Sequence, residues 1–251
     1  IAEENHIGLP YYKNVDNREF GLLLKQRCNK EVIINTVAAY YNTKERFEHW
    51  IEESISKYSI KNFVFVGQKI SSIKYPGPSI VEANSIAKSK KANFGNICIP
   101  DRENEAERLV SKTASGCSFF TSQVLFESER IVDVLKEYSI KCEKANLKPA
   151  KFFLSFSPVS DFHDIAFIKW LGTEISEKTE RRLKFAQNTG EESIKVIVEV
   201  LDKIFNYFYK TDIKIPLGLN IEYITLHNLE LSKNLVNSIS DLKFNFSIKI
   251  F

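Results

Sequence analysis

Apolar and polar positions fall in alternating blocks along this chain. Apolar runs of strand length occupy residues 32–41, 62–66, 94–99, 117–126, 152–156 and 217–224. Most are continuous stretches rich in Val, Ile and Phe, the pattern of parallel strands covered on both faces. Amphipathic stretches lie between them, and several carry helix-start signals. Asn42 precedes Glu45, Ser79 precedes Glu82, Asn104 precedes Glu107 and Thr189 precedes Glu192, each ahead of spaced apolar residues. Each pair sets an N-cap acceptor three residues before a carboxylate that can reach back to the cap amide. Segments 128–138, 161–171 and 230–242 also read as helices.

Strand followed by helix, six times over, predicts a parallel sheet with crossover helices. No Gly-rich dinucleotide or phosphate loop follows the first strand, which argues against a nucleotide-binding doubly wound fold. The regular alternation predicts instead an α/β chain of the (β/α)8 TIM-barrel class. Eight units close such a barrel and six are visible, so the first one or two strands are expected upstream of Ile1. Residues 1–30 read as polar and loop-like (Asn5, Gly8, Pro10, Asn14, Asp16). With no linker or low-complexity stretch to divide it, the chain over 1–251 reads as a single barrel domain.

Composition narrows the class of function. At 251 residues and 43% hydrophobic, the chain can bury a sizeable core without disulfides or metals. Its 35 basic and 32 acidic residues leave a net charge of +3, and no basic stripe stands out, so nucleic acid is not an expected partner. No apolar run reaches the length of a membrane span, and no signal peptide opens the chain. The expected location is cytoplasmic. The chain starts at Ile1 and contains no Met, which fits the expectation of residues upstream. Cys28, Cys98, Cys117 and Cys142 form no CxxC pair, and the four His are scattered, so buried free thiols are expected rather than a metal site.

In a parallel barrel the chemistry sits at the C-terminal ends of the strands. That rule selects Asn35, Thr36, Tyr40 and Tyr41; Gly67, Gln68 and Lys69 with the turn Tyr75-Pro-Gly-Pro78; Pro100 to Glu103; Thr121, Ser122 and Gln123; Ser157 to Asp161; and Thr225, His227 and Asn228. The set is rich in amides, hydroxyls and aromatics and holds no nucleophile paired with a base. It suits a flat, hydrogen-bonding heterocycle better than hydrolysis. Hydride transfer between stacked rings asks the protein mainly for orientation and electrostatics.

Several of these segments resemble the methylenetetrahydrofolate reductase family. Asn96-Ile-Cys-Ile-Pro100 followed by Asn104-Glu-Ala-Glu107 is similar to that family's strand end and Pro-Glu-Ala helix start. Lys112 and the run Ser115-Gly-Cys-Ser-Phe-Phe-Thr-Ser-Gln123-Val-Leu-Phe126 resemble its Lys, Ala-Gly-Ala and Thr-Gln-Phe-Phe-Phe run. Pro158-Val-Ser-Asp-Phe162 is similar to its Pro-Val-Ser-Asn-Phe turn, and Thr225-Leu226 with Asn228 to its last-strand Thr-Leu-Asn. The elements keep the family's order over roughly residues 30–230.

The resemblance implies a TIM barrel that passes hydride from NAD(P)H through FAD to 5,10-methylenetetrahydrofolate, giving the 5-methyl form. It implies folate or pterin contacts from Gln123 and Phe162. The Gln123 amide offers both the donor and the acceptor that a pterin edge requires. It implies cofactor contacts from Asn35 or Thr36, Gly67, Gln68, Tyr75, Ile99, Asp101 and Lys112, with Lys112 beside the FAD pyrophosphate. The chain departs from the family at several points. The turn Val66-Gly67-Gln68 replaces an Arg-Gly-Asp type turn, Ile99 replaces a flavin-side Tyr, and Glu103 replaces a His. The family's acid Glu belongs to the first barrel strand, so the acid is expected on the strand upstream. These implications make the chain an oxidoreductase of one-carbon metabolism, acting as a homo-oligomer or as a subunit of a complex. Two alternatives remain: a non-catalytic pterin- or flavin-binding subunit, and a methyl-folate methyltransferase barrel.

Overall fold

The computed structural model describes residues 15–67, 74–211 and 213–240. Among the described residues six strands form one sheet in the order β1-β2-β3-β4-β5-β6: β1 Ile33–Val37, β2 Asn62–Val66, β3 Asn93–Cys98, β4 Phe119–Val124, β5 Lys151–Phe156 and β6 Leu217–Ile221. The pairs β1–β2, β2–β3 and β5–β6 run parallel. Each strand lies beside the next in sequence, with at least one helix between. That order winds in one sense, as (β/α) barrels do, whereas doubly wound sheets reverse at a switch point. The chain is therefore of the parallel β/α class, as the block pattern predicts.

The helices are α1 Asn17–Cys28, α2 Lys44–Ser56, α3 Ile80–Ser89, α4 Glu105–Ala114, α5 Glu129–Lys144, α6 Phe162–Trp170, α7 Glu177–Lys184, α8 Thr189–Tyr209 and α9 Leu229–Ser240. Ser79 and Glu82 make the expected reciprocal capping box at α3. At α2 and α8 the cap lies one residue from the expected one. Thr43 accepts from the Arg46 amide, and Asn188 from the Glu191 amide. Asn104 precedes α4 at φ 55°, a left-handed conformation that Asn tolerates better than most residues.

Two helices depart from the sequence reading. Residues 17–28, read as loop, form α1. Its polar Asn17 and Arg18 are buried while Phe20 and Leu23 are exposed, so no apolar stripe announces it. Arg18 explains the inversion. Its guanidinium bonds Asp16 and Glu53 at 2.7 Å each and lies over the rings of Trp50 and Tyr58. α7 carries one buried apolar residue, Leu183, too few for a periodic signal.

By contacts the chain divides into two compact units, Ile1–Ile97 with Ser111–Phe120, and Cys98–Val110 with Thr121–Phe251. In the first, Phe63 and Phe65 of β2 pack against Trp50 and Phe47 of α2. The register sets Thr36 beside Phe65 and Asn35 beside Val64. Thr36 therefore faces the helix, and Asn35 the opposite side of the sheet. On the helix side, Asn84 of α3 and Asn96 of β3 exchange side-chain hydrogen bonds at 3.0 and 3.2 Å, both fully buried. In the second unit, Phe152, Leu154 and Phe156 of β5 are fully buried, and the Tyr138 ring of α5 lies 5.2 Å from Phe152.

Cys98, Cys117 and Cys142 are buried free thiols and Cys28 is exposed. Burial pushes the Cys117 thiol up to about 12, so it stays protonated and inert. Among the described residues no group of His, Cys, Asp and Glu is arranged to hold a metal ion. No helix among them is long and apolar enough to cross a membrane.

Candidate functional site

In the second unit a recess of about 180 Å³ opens at the C-terminal end of β4. Its apolar lining includes Leu125, Phe126 and Ile175, and its polar lining Gln123, Asp101, Glu127, Glu174 and Arg130. Four segments bring these groups together: the end of β4, the turn after Cys98, the start of α5, and the loop that joins α6 to α7.

Gln123 is half-buried, and its Nε2 donates to the Leu171 carbonyl at 3.4 Å. That long bond positions the amide without saturating it. The loop meets it closely because Gly172 adopts φ 95°. A Cβ at Gly172 would lie 3.4 Å from Gln123 Nε2, so a side chain there would crowd the amide and strain the backbone. Glu127 fixes the other end of the loop by accepting from the hydroxyls of Ser176 and Thr179.

Asp101 enters the recess from the turn after β3. Burial, reinforced by the Glu174 carboxylate, holds its carboxyl above the usual carboxylate range, against the opposing pull of Arg130. Arg130 is largely exposed and stands 3.8 Å away, so its screening weakens that pull. The turn itself is tied by Glu105, whose side chain is fully buried and accepts from the Ile99 amide at 3.0 Å.

The remaining expected site residues are dispersed. Ile99 is half-buried at that same turn. Phe162 starts α6 with 53% of the residue exposed and the Lys184 ammonium 5.4 Å from its ring centre. In the first unit, Thr36 turns toward the helix and its hydroxyl lies 3.2 Å from that of Tyr41, while Asn35 keeps the opposite face. Gly67 follows β2, and a Cβ there would meet Ile80 Cγ1 at an ordinary 3.6 Å. The Tyr75 ring lies 5.4 Å from Tyr40, and its buried hydroxyl has no hydrogen-bond partner among the described residues. The Tyr75-to-Pro78 turn packs closely on residues 38–41. A Cβ at Gly77 would come within 2.7 Å of three of their carbonyl oxygens. Lys112 donates to the Ile97 carbonyl at 3.0 Å. Gln68 lies outside the described residues.

Sequence reasoning missed Glu174, Arg130 and Glu127. They sit in loops and helix starts with no motif around them, and only folding gathers them about Gln123.

Neither a comparison with protein-family models nor one with curated protein sequences gives a match. Among solved structures the chain is similar to a Clostridium thermocellum protein that binds two copies of 5-methyl-5,6,7,8-tetrahydrofolic acid. The two are 21% identical with a TM-score of 0.71, over 86% of this chain and 77% of that one. More distant likenesses are to a thermostable aldo-keto reductase (12% identity, TM-score 0.44, 88% and 71% covered) and to 2,3-dimethylmalate lyase (12%, 0.41, 88% and 76%), both too remote to carry an argument. The first likeness establishes a shared β/α architecture across most of both chains.

Proposed function

We propose that this chain binds a reduced folate, with the pterin ring held at the Gln123 recess. The observation that carries the reading is the architecture shared with a protein that binds 5-methyl-5,6,7,8-tetrahydrofolic acid. The chemistry of the recess supports it. A pterin presents an edge of mixed donors and acceptors; Gln123 offers one of each, and Asp101 offers carboxyl oxygens. The apolar lining suits the faces of a flat ring.

On this reading the reaction is reduction of 5,10-methylenetetrahydrofolate to the 5-methyl form, with hydride from NAD(P)H. FAD as a carrier between them is part of the same proposal, and when bound it would supply two-electron hydride relay. Asn35, on the sheet face opposite the helix, and Gly67, after β2, belong to the flavin lining that the proposal would use. Thr36 faces the helix, and Lys112 is engaged with the Ile97 carbonyl. Asp101 supplies the acid expected from an upstream strand. Its carboxyl proton passes to the ring nitrogen as the carbon–nitrogen bond of the five-membered ring breaks, and that nitrogen keeps the electron pair. Gln123 holds the pterin edge while hydride reaches the methylene carbon.

The test is turnover. Purified chain supplied with NADH or NADPH and methylenetetrahydrofolate should oxidise the nicotinamide and form 5-methyltetrahydrofolate. Folate binding with no turnover by either donor would leave a binding subunit and remove the reductase.

Asp101 gives a separate expectation. A carboxyl whose folded value is raised favours the folded state at low pH, and that advantage is lost as pH rises through the folded value. Asp101→Asn should therefore melt at the same temperature as the parent, or higher, at pH 7. The difference should vanish below the ordinary carboxylate range. Turnover should fall at the same time. Differential scanning calorimetry between pH 3 and 8 reads the first effect; a variant less stable at pH 7 would contradict it.

A further inference from the structure

The Gln123 recess is small for a whole folate. Its volume is about 180 Å³, below the roughly 300–1,000 Å³ of pockets that enclose most of a drug-sized ligand. A reduced folate can sink only its ring system there. Its benzoyl-glutamate tail, which ends in two carboxylates, must cross the rim. Most of the charge around that rim opposes an anion. Asp101, Glu127 and Glu174 line the recess, and Arg130 is the one cation among its described lining residues. Whether an anionic tail is tolerated therefore depends on Arg130.

Neighbouring charges are committed to other partners. Glu127 accepts from the hydroxyls of Ser176 and Thr179. Glu129 accepts from the Ser128 amide at 3.1 Å and lies 3.7 Å from Lys203 Nζ. Arg102 is drawn toward the buried Glu105, 3.6 Å away. Arg130 is held differently. Among the described residues its charged partner is Asp101 at 3.8 Å, beyond hydrogen-bond reach, and its side chain is 74% exposed. A guanidinium carries five N–H donors in a fork that matches a carboxylate, and this approach spends none of them in a hydrogen bond. The start of α5 adds to the attraction. Ser128 at its N-cap makes no side-chain cap hydrogen bond, so the positive end of the helix dipole stands at the same rim as the guanidinium.

We propose that Arg130 is the tail receptor of the recess: its guanidinium pairs with a carboxylate of a ligand whose ring lies at Gln123, and so selects pterins that carry an anionic tail over the bare ring. The inference rests on the recess reading and deepens it by naming the ligand class. Two parallel N–H to oxygen bonds replace a single 3.8 Å approach to Asp101, which is the geometry that guanidinium and carboxylate favour. The long Asp101 approach costs little to give up, because an exposed pair without a hydrogen bond is weak. Gln123 and Arg130 then divide the work. The buried amide reads the edge of the ring, and the exposed guanidinium reads the charge at the other end of the ligand.

Isothermal titration of the full chain with tetrahydrofolate, and with 6-methyltetrahydropterin as the same ring without the tail, tests it. The readout is the ratio of the two affinities. The parent should favour tetrahydrofolate at least about 10-fold. Arg130→Gln should bring the ratio to within about 3-fold by weakening tetrahydrofolate. Arg130→Lys keeps the charge without the fork and should fall between the two. Arg130 is exposed, so neither variant should disturb folding. The same ratio in the parent and Arg130→Gln overturns the tail receptor and leaves the recess reading standing. An equal loss for both ligands overturns it as well, because Arg130 would then support the ring site. Failure of both ligands to bind the parent removes the recess reading and the tail receptor with it.

Discussion

Gln123→Glu should lower the affinity for 5-methyltetrahydrofolate at the recess by about 30- to 100-fold, equivalent to about 2–3 kcal/mol. The substitution preserves shape and removes a donor. At present Nε2 bonds the Leu171 carbonyl at 3.4 Å and the amide keeps capacity for a ligand. A carboxylate would oppose that carbonyl and any ligand acceptor. It would also join Asp101, Glu127 and Glu174 in the same lining, where Arg130 is the one cation among the described residues and is mostly exposed. Sites built to hydrogen-bond a ligand lose most when a partner is left unpaired. Gln123→Ala is the gentler companion: it deletes the bond without adding charge and should lose roughly 10-fold. Titration calorimetry distinguishes the two. Equal affinities for parent and Gln123→Glu would remove Gln123 from the site.

The second large effect lies in the first unit. Asn96→Ala should destabilise the fold by about 2–4 kcal/mol, lowering the melting temperature by roughly 5–12 °C. Asn96 Nδ2 donates to Asn84 Oδ1 and to the Phe65 carbonyl, and Asn96 Oδ1 accepts from Asn84 Nδ2. Both side chains are shut off from water. Removing Asn96 leaves Asn84 with an unmet acceptor, takes one hydrogen bond from the Phe65 carbonyl, and opens a cavity between α3 and β3. Asn84 retains only its 3.3 Å bond to Ser115 Oγ. The double variant Asn84→Leu/Asn96→Ala should recover part of the loss, because it removes the buried partner as well. Calorimetric melts of the three variants measure the coupling. Additive losses would show that the pair does not act as a unit.

The strands were legible because each is a continuous apolar run bounded by turn residues, a signal that survives without context. Their ends were less so. The run at 117–126 continues apolar beyond the strand, which stops at Val124. The run at 217–224 ends as a strand at Ile221, because Tyr223 turns into the left-handed region. α1 was illegible for a physical reason. Its buried face is polar and satisfied by Glu53, a residue 35 positions away, so periodicity could not mark it.

The candidate site was legible by halves. Gln123 and Asp101 follow from a rule about strand ends, and both line the recess. Thr36 follows from the same rule, yet alternation along β1 turns it toward the helix and leaves Asn35 on the opposite face. One residue of register reverses a side chain, and register is a property of the paired strands. The loop residues around Gln123 have no local signal.

By itself the sequence determined the class of this protein. Apolar blocks with capped amphipathic helices between them admit a parallel β/α sheet and little else, because burial and hydrogen bonding of strands and helices are settled over a few neighbouring residues. The tertiary structure alone decided which carboxylates meet. Glu174 raises the Asp101 carboxyl across more than seventy positions of chain, and Ser155 orients Glu222 across 67. Electrostatic and hydrogen-bond energies depend on separation in space, which only the folded chain sets.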